Sequence, residues 1–463
     1  ICRKNNFHPK IYLISIDGFK LFLKSYDNIK DQVTKVLDVA EEKFSQQKKD
    51  QEDEAKESLE AVVKNAPVSK MVQVIMDHAI DSDASDIHVE PQQDKSIVRY
   101  RIDGVLNISL TLPVYIHASL VSRIKVLANL KIDETRSPQD GRIRINHKGK
   151  NVDFRVSIIP LVNNEKVVMR ILEAPERAPT LEELGIMGSQ LEIINRNINK
   201  PNGMFLVTGP TGSGKSTTLF SVLNILNKED VNISTLEDPV EYTVEGVNQS
   251  QIHPEVGFTF ATGLRSLLRQ DPDVIMVGEI RDSETAGLAI NAALTGHFVL
   301  STLHTNDAKG AFPRLIDMGA EKFLLANTLN LIMAQRLVRK ICDFCKQKDN
   351  LIESVVKVIE KDMKGLPEQL YYKGVDFKNI QMYKGTGCPK CGNTGYKGRV
   401  AITEVIEVTR TMREIIAKGF DGAQADEELA KQNFISLLQD GWMKAMLGYT
   451  TAEEILRATK VDD

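Results

Sequence analysis

Residues 209 to 216, Gly209-Pro210-Thr211-Gly212-Ser213-Gly214-Lys215-Ser216, restrict what this chain can fold into more than any other segment. The pattern Gly-x4-Gly-Lys-Ser follows an apolar strand candidate, Met204 to Thr208. It precedes a run in which Leu219, Val222, Leu223 and Leu226 recur at helical spacing. Strand, glycine-rich turn and helix together are the setting that a phosphate-binding loop requires. Gly209, Gly212 and Gly214 let successive N–H groups converge on phosphate oxygens, and the helix N-terminus adds partial positive charge. Lys215 is expected to neutralise the β- and γ-phosphates and the Ser216 hydroxyl to reach Mg²⁺, with Thr217 closing the contact segment. Taken alone, the loop predicts bound ATP or GTP.

The loop cannot account for a chain of 463 residues, because single cores stop growing near about 250 to 300 residues. An apolar fraction of 42% and a charged fraction of 26% allow each of two or three domains a real core. Residues 1 to 60 read as a truncated N-terminal region with a strand candidate, Ile11 to Ile16, and a charged linker, Glu41 to Glu60. The chain begins with Ile1, which suggests a missing upstream segment, and Cys2 has no evident partner. Residues 61 to 178 form a small α+β (PAS-like) domain. Val68, Met71, Val72, Ile75, Met76 and Ala79 mark one helix face. Strand candidates follow around the turn pairs Asp103-Gly104 and Asp140-Gly141, then at 151 to 159 and 166 to 172. From 179 to 463, apolar runs at 204–208, 231–236, 274–277 and 298–302 alternate with helical patterns, which argues for a mostly parallel sheet covered on both faces. Residues 404 to 463 read as helices.

In such a sheet, ligands gather at the carboxyl ends of the strands, and three further segments end there. Glu237 and Asp238 close one strand. Val274 to Val277 runs through Gly278 into Glu279, as a Walker B segment does, with Gly278 where many ATPases place the Mg²⁺-binding aspartate. Glu279 is therefore the expected water-polarising carboxylate, with Ser216, water, Glu237 and Asp238 left to complete a metal shell. His297 and His304 bracket the strand at 298–302, and His304 is the better candidate for sensing the γ-phosphate.

Gly209 to Ser216, Thr235 to Tyr242, Leu268 to Asp282 and Leu294 to Asp307 together resemble, in the same order, the Walker A loop, aspartate box, Walker B and histidine box of the secretion ATPase superfamily. Closest in pattern are type II secretion ATPases and the assembly ATPases of type IV pili, in which a glycine at position 278 is normal. The resemblance covers roughly residues 65 to 460, including Ser85 to Glu90, Arg101 to Val105 and Gly448 to Ile455. It implies an α/β protein with a RecA-like domain, a homo-hexameric ring, and ATP held between the small domain and the RecA-like domain. It also implies docking on an inner-membrane platform protein and indirect action on pilin subunits. Asp153 to Ser157 and Lys166 to Arg170 look like the segments that supply Arg155 and Arg170 to the phosphates.

Cys342-x2-Cys345 and Cys388-x2-Cys391 supply four thiols, enough to close a tetrahedral Zn²⁺ shell; four unliganded thiols are the alternative. The gap of 42 residues is long for a simple ribbon. Gly387 to Cys391 followed by Gly395 to Arg399 resembles the cysteine module of the same ATPases, placed here at about 340 to 400 within the RecA-like domain. Retraction motors generally lack that module, so assembly is the expected direction. The net charge of −4 offers no global attraction to nucleic acid, and Arg336 to Lys340 is the clearest basic cluster. No stretch reaches the roughly 18 apolar residues of a membrane helix, so the expected location is cytoplasmic; the resemblance further implies association with the inner face of the membrane.

Overall fold

The three-and-four spacing that opens the first domain folds as predicted: helix α1 (Ala66–Asp81) buries Val68, Met71, Val72, Ile75, Met76 and Ala79. The computed structural model describes residues 66–172, 177–241, 243–349, 353–377 and 379–459; the strand at 11–16 and the charged linker lie outside them. The chain divides between residues 173 and 174 into two compact units.

In the first unit, α1 is followed by β1 (Ala84–Pro91), β2 (Lys95–Ile102), β3 (Val105–Pro113), α2 (Val114–Leu127), β4 (Gln139–His147), β5 (Lys150–Pro160) and β6 (Glu165–Leu172). The strands pair antiparallel in the order β3-β2-β1-β6-β5-β4. Side chains alternate across a pleated sheet. Ile87, Val98, Tyr100, Phe154, Val156 and Met169 therefore share one buried face with the apolar sides of both helices. The buried Tyr100 hydroxyl donates to the Ile75 carbonyl at 2.8 Å. Asp103 and Gly104 form the expected hairpin turn, with φ values of 49° and 85°. Asp140-Gly141 instead lies inside β4. A Cβ on Gly141 would stand 2.7 Å from the Ala128 carbonyl, so this glycine serves a close backbone approach rather than a turn.

The second unit contains α3 (Gly188–Ile198), β7 (Gly203–Thr208), α4 (Lys215–Leu226), β8 (Ile233–Glu237), β9 (Val247–Gln251), α5 (Phe260–Leu267), β10 (Val274–Val277), α6 (Ser283–Leu294) and β11 (Phe298–Leu303). Next come α7 (Ala311–Asp317), α8 (Lys322–Thr328), β12 (Leu329–Ile341), β13 (Lys346–Asp349), α9 (Glu353–Asp362), β14 (Met382–Gly385) and β15 (Tyr396–Glu407). Four helices end the unit: α10 (Arg410–Lys418), α11 (Gly422–Lys431), α12 (Leu437–Met446) and α13 (Ala452–Thr459). The seven-stranded sheet has the order β15-β12-β7-β11-β10-β8-β9, parallel throughout except for β15 against β12. Phe205 and Val207 pack with α3 and α4 on one face, while Met204 and Leu206 join a larger core under α5 and α6 on the other. Burial on both faces explains the unbroken apolar runs. Residues 404–407, expected to be helical, instead complete β15, and the helices begin at Arg410. Among the described residues, no helix is long and apolar enough to cross a membrane.

A buried polar network docks α12 on the sheet. Lys444 and Asp440 are both fully buried; Lys444 Nζ donates to Asp440 Oδ2 at 2.6 Å and to the Ala401 carbonyl at 2.7 Å. The Thr403 N–H donates to Asp440 Oδ2 at 2.7 Å, and the Tyr372 hydroxyl bonds Oδ1. Breaking a buried pair on one side strands the other charge, so Asp440→Ala is expected to lower the unfolding free energy by about 3–5 kcal/mol. Urea denaturation of the variant measures this directly.

Candidate functional site

Parallel pairing of β7, β11, β10 and β8 brings their carboxyl ends to one edge of the sheet. From β7 the chain turns through Gly209 to Gly214 into α4. Gly214 caps that helix at φ 88°, a left-handed conformation that a side chain would strain. Thr211, Gly212 and Ser216 are exposed at the loop, Thr217 is half-buried, and Pro210 is exposed. Lys215 folds back over the loop, its Nζ donating to the carbonyls of Gly209 at 2.8 Å and Pro210 at 3.1 Å. Burial lowers its pKa, while the charge of Glu279 acts in the opposite direction. Lys215 Nζ thus rests on two neutral carbonyls at the mouth of the loop.

Glu279 follows β10 and faces Arg281 and His304. Arg281 bonds its Oε1, and His304 Nε2 lies 3.3 Å from its Oε2. Burial pushes the carboxyl upward, but the bonds and charges of Arg281 and His304 outweigh it and hold the pKa below the ordinary glutamate value. Glu279 is ionised at neutral pH as a base must be. Gly278 is pressed against β8, where a Cβ would stand 3.2 Å from the Leu236 carbonyl. A side chain there would need β8 to give by a few tenths of an ångström.

The expected acidic pair separates. Glu237, 4% exposed, accepts from the Thr235 hydroxyl at 2.6 Å and from Gln249 Nε2 at 3.0 Å, and burial raises its pKa. It ties β9 to β8. Asp238 is open to solvent, and its Oδ2 lies 3.9 Å from Arg281. The histidines separate as well. His304 stands at the carboxyl end of β11, whereas His297 precedes that strand and binds the Ala292 carbonyl at 2.9 Å through Nδ1. Six residues of strand put about 20 Å between the two positions. His297 therefore does not share the edge where Lys215, Glu279 and His304 meet.

Arg155 and Arg170 belong to the first unit. They stand directly opposite each other on the exposed face of its sheet, in a cross-strand row Arg142, Arg155, Arg170, Asp86, Arg101. Asp86 binds Arg170 Nε at 3.1 Å and Arg101 Nε at 3.4 Å. Arg155 and Arg170 thus present like charges directly opposite each other on the exposed face.

The thiols of Cys342, Cys345, Cys388 and Cys391 all lie within 4.8 Å of one another. Measured separations are 3.8 Å for Cys342 to Cys388, 3.9 Å for Cys345 to Cys391 and 3.7 Å for Cys388 to Cys391. These are too long for disulfides, and they match the edge of about 3.8 Å expected for a tetrahedron of sulfurs around zinc at 2.3 Å. Burial works against a Cys391 thiolate, but the N–H groups of Cys388 and Gly395 bring its pKa down to about 6. The long gap is spanned by the β13–β14 ladder, which pairs Lys346 with Gly385 and so brings the two cysteine pairs together. Between these strands Ile359, Met363 and Leu366 pack into the main core.

Two further groups escaped sequence reasoning. Arg281 stands two residues after Glu279, a spacing that was visible but carried no signal of its own. Thr208, at the end of β7, meets the hydroxyl of Thr305 at 2.6 Å and accepts its N–H at 2.9 Å, joining the loop strand to the His304 segment. The basic cluster is tied down: Arg339 binds Glu454 at 2.8 Å and lies over the Tyr396 ring, Arg336 binds the Asn306 carbonyl at 3.2 Å, and Lys340 pairs with Asp343 at 3.2 Å.

A family model described as type II/IV secretion system protein matches residues 61–457. The type IV pilus assembly ATPase PilB of Myxococcus xanthus is 46% identical over 399 residues, covering 86% of this chain and 69% of that protein. The type II secretion system ATPase E of Vibrio cholerae is 44% identical over 396 residues, covering 86% and 76%. Among solved structures, the pilus retraction motor PilT with bound ADP superposes at a TM-score of 0.56 with 26% identity, covering 85% of this chain and 97% of that one.

Proposed function

Because the chain belongs to the type II/IV secretion system protein family, we propose that it is a hexameric motor coupling ATP hydrolysis to assembly of type IV pilin or type II pseudopilin subunits. The family is the one that the four ordered motifs resemble, and the α/β fold and ATP hydrolase activity expected from it stand. The observation that carries the site reading is the meeting of Lys215, Glu279 and His304 at one sheet edge. In this reading, residues Gly209 to Thr217 hold the phosphates and Glu279 accepts a proton from the attacking water. His304 orients Glu279 and senses the γ-phosphate, and Arg155 and Arg170 neutralise charge that develops on it. Magnesium, when bound on Ser216 with Asp238 and water, supplies further charge neutralisation. Glu237, buried and hydrogen-bonded, supports the edge from β8 rather than reaching the metal.

Assembly is favoured over retraction by the four-cysteine module and by relatives named for pilus assembly and type II secretion at 46% and 44% identity. Such a motor works at the cytoplasmic face of the inner membrane, docked on a platform protein. A nucleic-acid translocase is the rival of another class. It is disfavoured because Arg336, Arg339 and Lys340 already have partners within the protein. Recovery of a membrane platform protein on the ATP-bound chain supports the motor, whereas stimulation of hydrolysis by DNA supports the rival.

Removing a positioned general base typically costs 10²- to 10⁴-fold, so Glu279→Gln is expected to lower kcat at least about 100-fold while nucleotide still binds. Equal turnover by wild type and variant in a phosphate-release assay rejects Glu279 as the base. We further propose a structural zinc at the four thiols, with one metal per chain by elemental analysis. Because thiolates bind the metal and protons compete for them, affinity should fall as pH drops, from the range where Cys342, pushed up to about 11 by burial, takes its proton to below about 6, where Cys391 does; Cys391→Ser should lose the metal at neutral pH. Full metal content in Cys391→Ser contradicts the ligand set.

A further inference from the structure

Gln335 lies on β12, the strand hydrogen-bonded to β7, and is 1% exposed. A buried amide needs partners for both its ends. Nε2 donates to the Ser213 carbonyl at 2.8 Å, and Oε1 accepts from the Thr218 hydroxyl at 2.7 Å. One partner lies in the phosphate loop and the other in the first turn of α4. The Ser213 carbonyl can only accept, so a flipped amide would set oxygen against oxygen; the contacts admit one orientation.

We propose that Gln335 is a positioning residue for the phosphate loop, acting through the Ser213–Gly214 peptide rather than by touching nucleotide. A trans peptide is planar, with its C=O and N–H pointing to opposite sides. Holding the Ser213 carbonyl on Gln335 therefore turns the Gly214 N–H away from β12. The next N–H groups begin α4, where the first turn has no intrahelical acceptors and the cap makes no side-chain hydrogen bond. Gln335 thus fixes in advance a donor that bound phosphate would otherwise have to order. The packing leaves little slack. A Cβ on Gly209 would stand 2.5 Å from the Gln335 carbonyl oxygen, and one on Gly214 would stand 2.8 Å from Nε2. Thr218 completes the device, since its hydroxyl occupies Oε1 and stops the amide rotating.

The inference rests on residues 209–216 being the nucleotide site, so the test carries Lys215→Ala as a control. Affinity for a fluorescent ATP analogue, the KM and kcat for ATP, and the melting temperature are measured on the full chain. Gln335→Glu keeps the acceptor for Thr218 but faces the Ser213 carbonyl with an anion. It is expected to raise KM and weaken binding about tenfold or more, with kcat at saturation within about threefold of wild type. Thr218→Val should shift KM in the same direction, and Thr218→Ser, which keeps the hydroxyl, should restore it. Wild-type affinity in both Gln335→Glu and Thr218→Val, with binding lost in Lys215→Ala, overturns the positioning role alone. Retained binding in Lys215→Ala overturns the phosphate-loop reading beneath it. If Gln335→Glu does not fold, the Thr218 pair decides: equal KM for valine and serine, or a lowered melting temperature with unchanged KM, rejects the proposal.

Discussion

Burial of β7 on both faces is the constraint from which the second unit follows. Residues Gly203 to Thr208 expose almost nothing, so apolar layers must cover the strand above and below. Its neighbours β11 and β12 run parallel to it, and parallel neighbours cannot be joined by tight turns. The crossovers become helices on the two faces, and these helices complete the burial that β7 demands. The same topology forces every connection leaving a carboxyl end to start at one edge. Phosphate loop, Glu279 and His304 therefore meet because of how the strands are buried, with no need for proximity in sequence.

The first unit solves a different problem with an antiparallel sheet. Only one of its faces is buried, under α1 and α2, so alternate residues are released from the core. Across five strands the released positions place Arg142, Arg155, Arg170 and Arg101 in one row with Asp86. Like charges directly opposite one another, as Arg155 and Arg170 are, do not stabilise a sheet by themselves. In that row Arg170 and Arg101 both pair with Asp86.

What was legible in the sequence tracks how local the governing physics is. The loop, the central strands at 204–208, 274–277 and 298–302, and α1 announce themselves through apolar periodicity and glycine spacing, and each forms close to its expected bounds. The strands β12 and β15 escaped because their role depends on pairing with each other and with β7, which no local pattern encodes. Asp140-Gly141 looks like a turn but answers to the Ala128 carbonyl, a neighbour from another element. Glu237 and Asp238 are adjacent in sequence, yet period-two alternation sends one into hydrogen bonds with Thr235 and Gln249 and the other to solvent beside Arg281. His297 and His304 look alike as flanks of one strand, and only strand direction separates them.

Strand β12 adds a link that neither the loop nor the cysteines reveal alone. It touches the phosphate loop through Gln335, runs on through Ile341 and delivers Cys342 to the thiol cluster seven residues after the loop contact. Along the way Arg339 is fixed by Glu454 of α13, whose carboxyl is opposed by burial but drawn down to about 2 by Arg457 and Arg339. A strand pinned at its middle by a buried amide and at its end by four converging thiols has little freedom to slide. One strand thus carries both the buried amide that touches the phosphate loop and the chain that enters the thiol cluster.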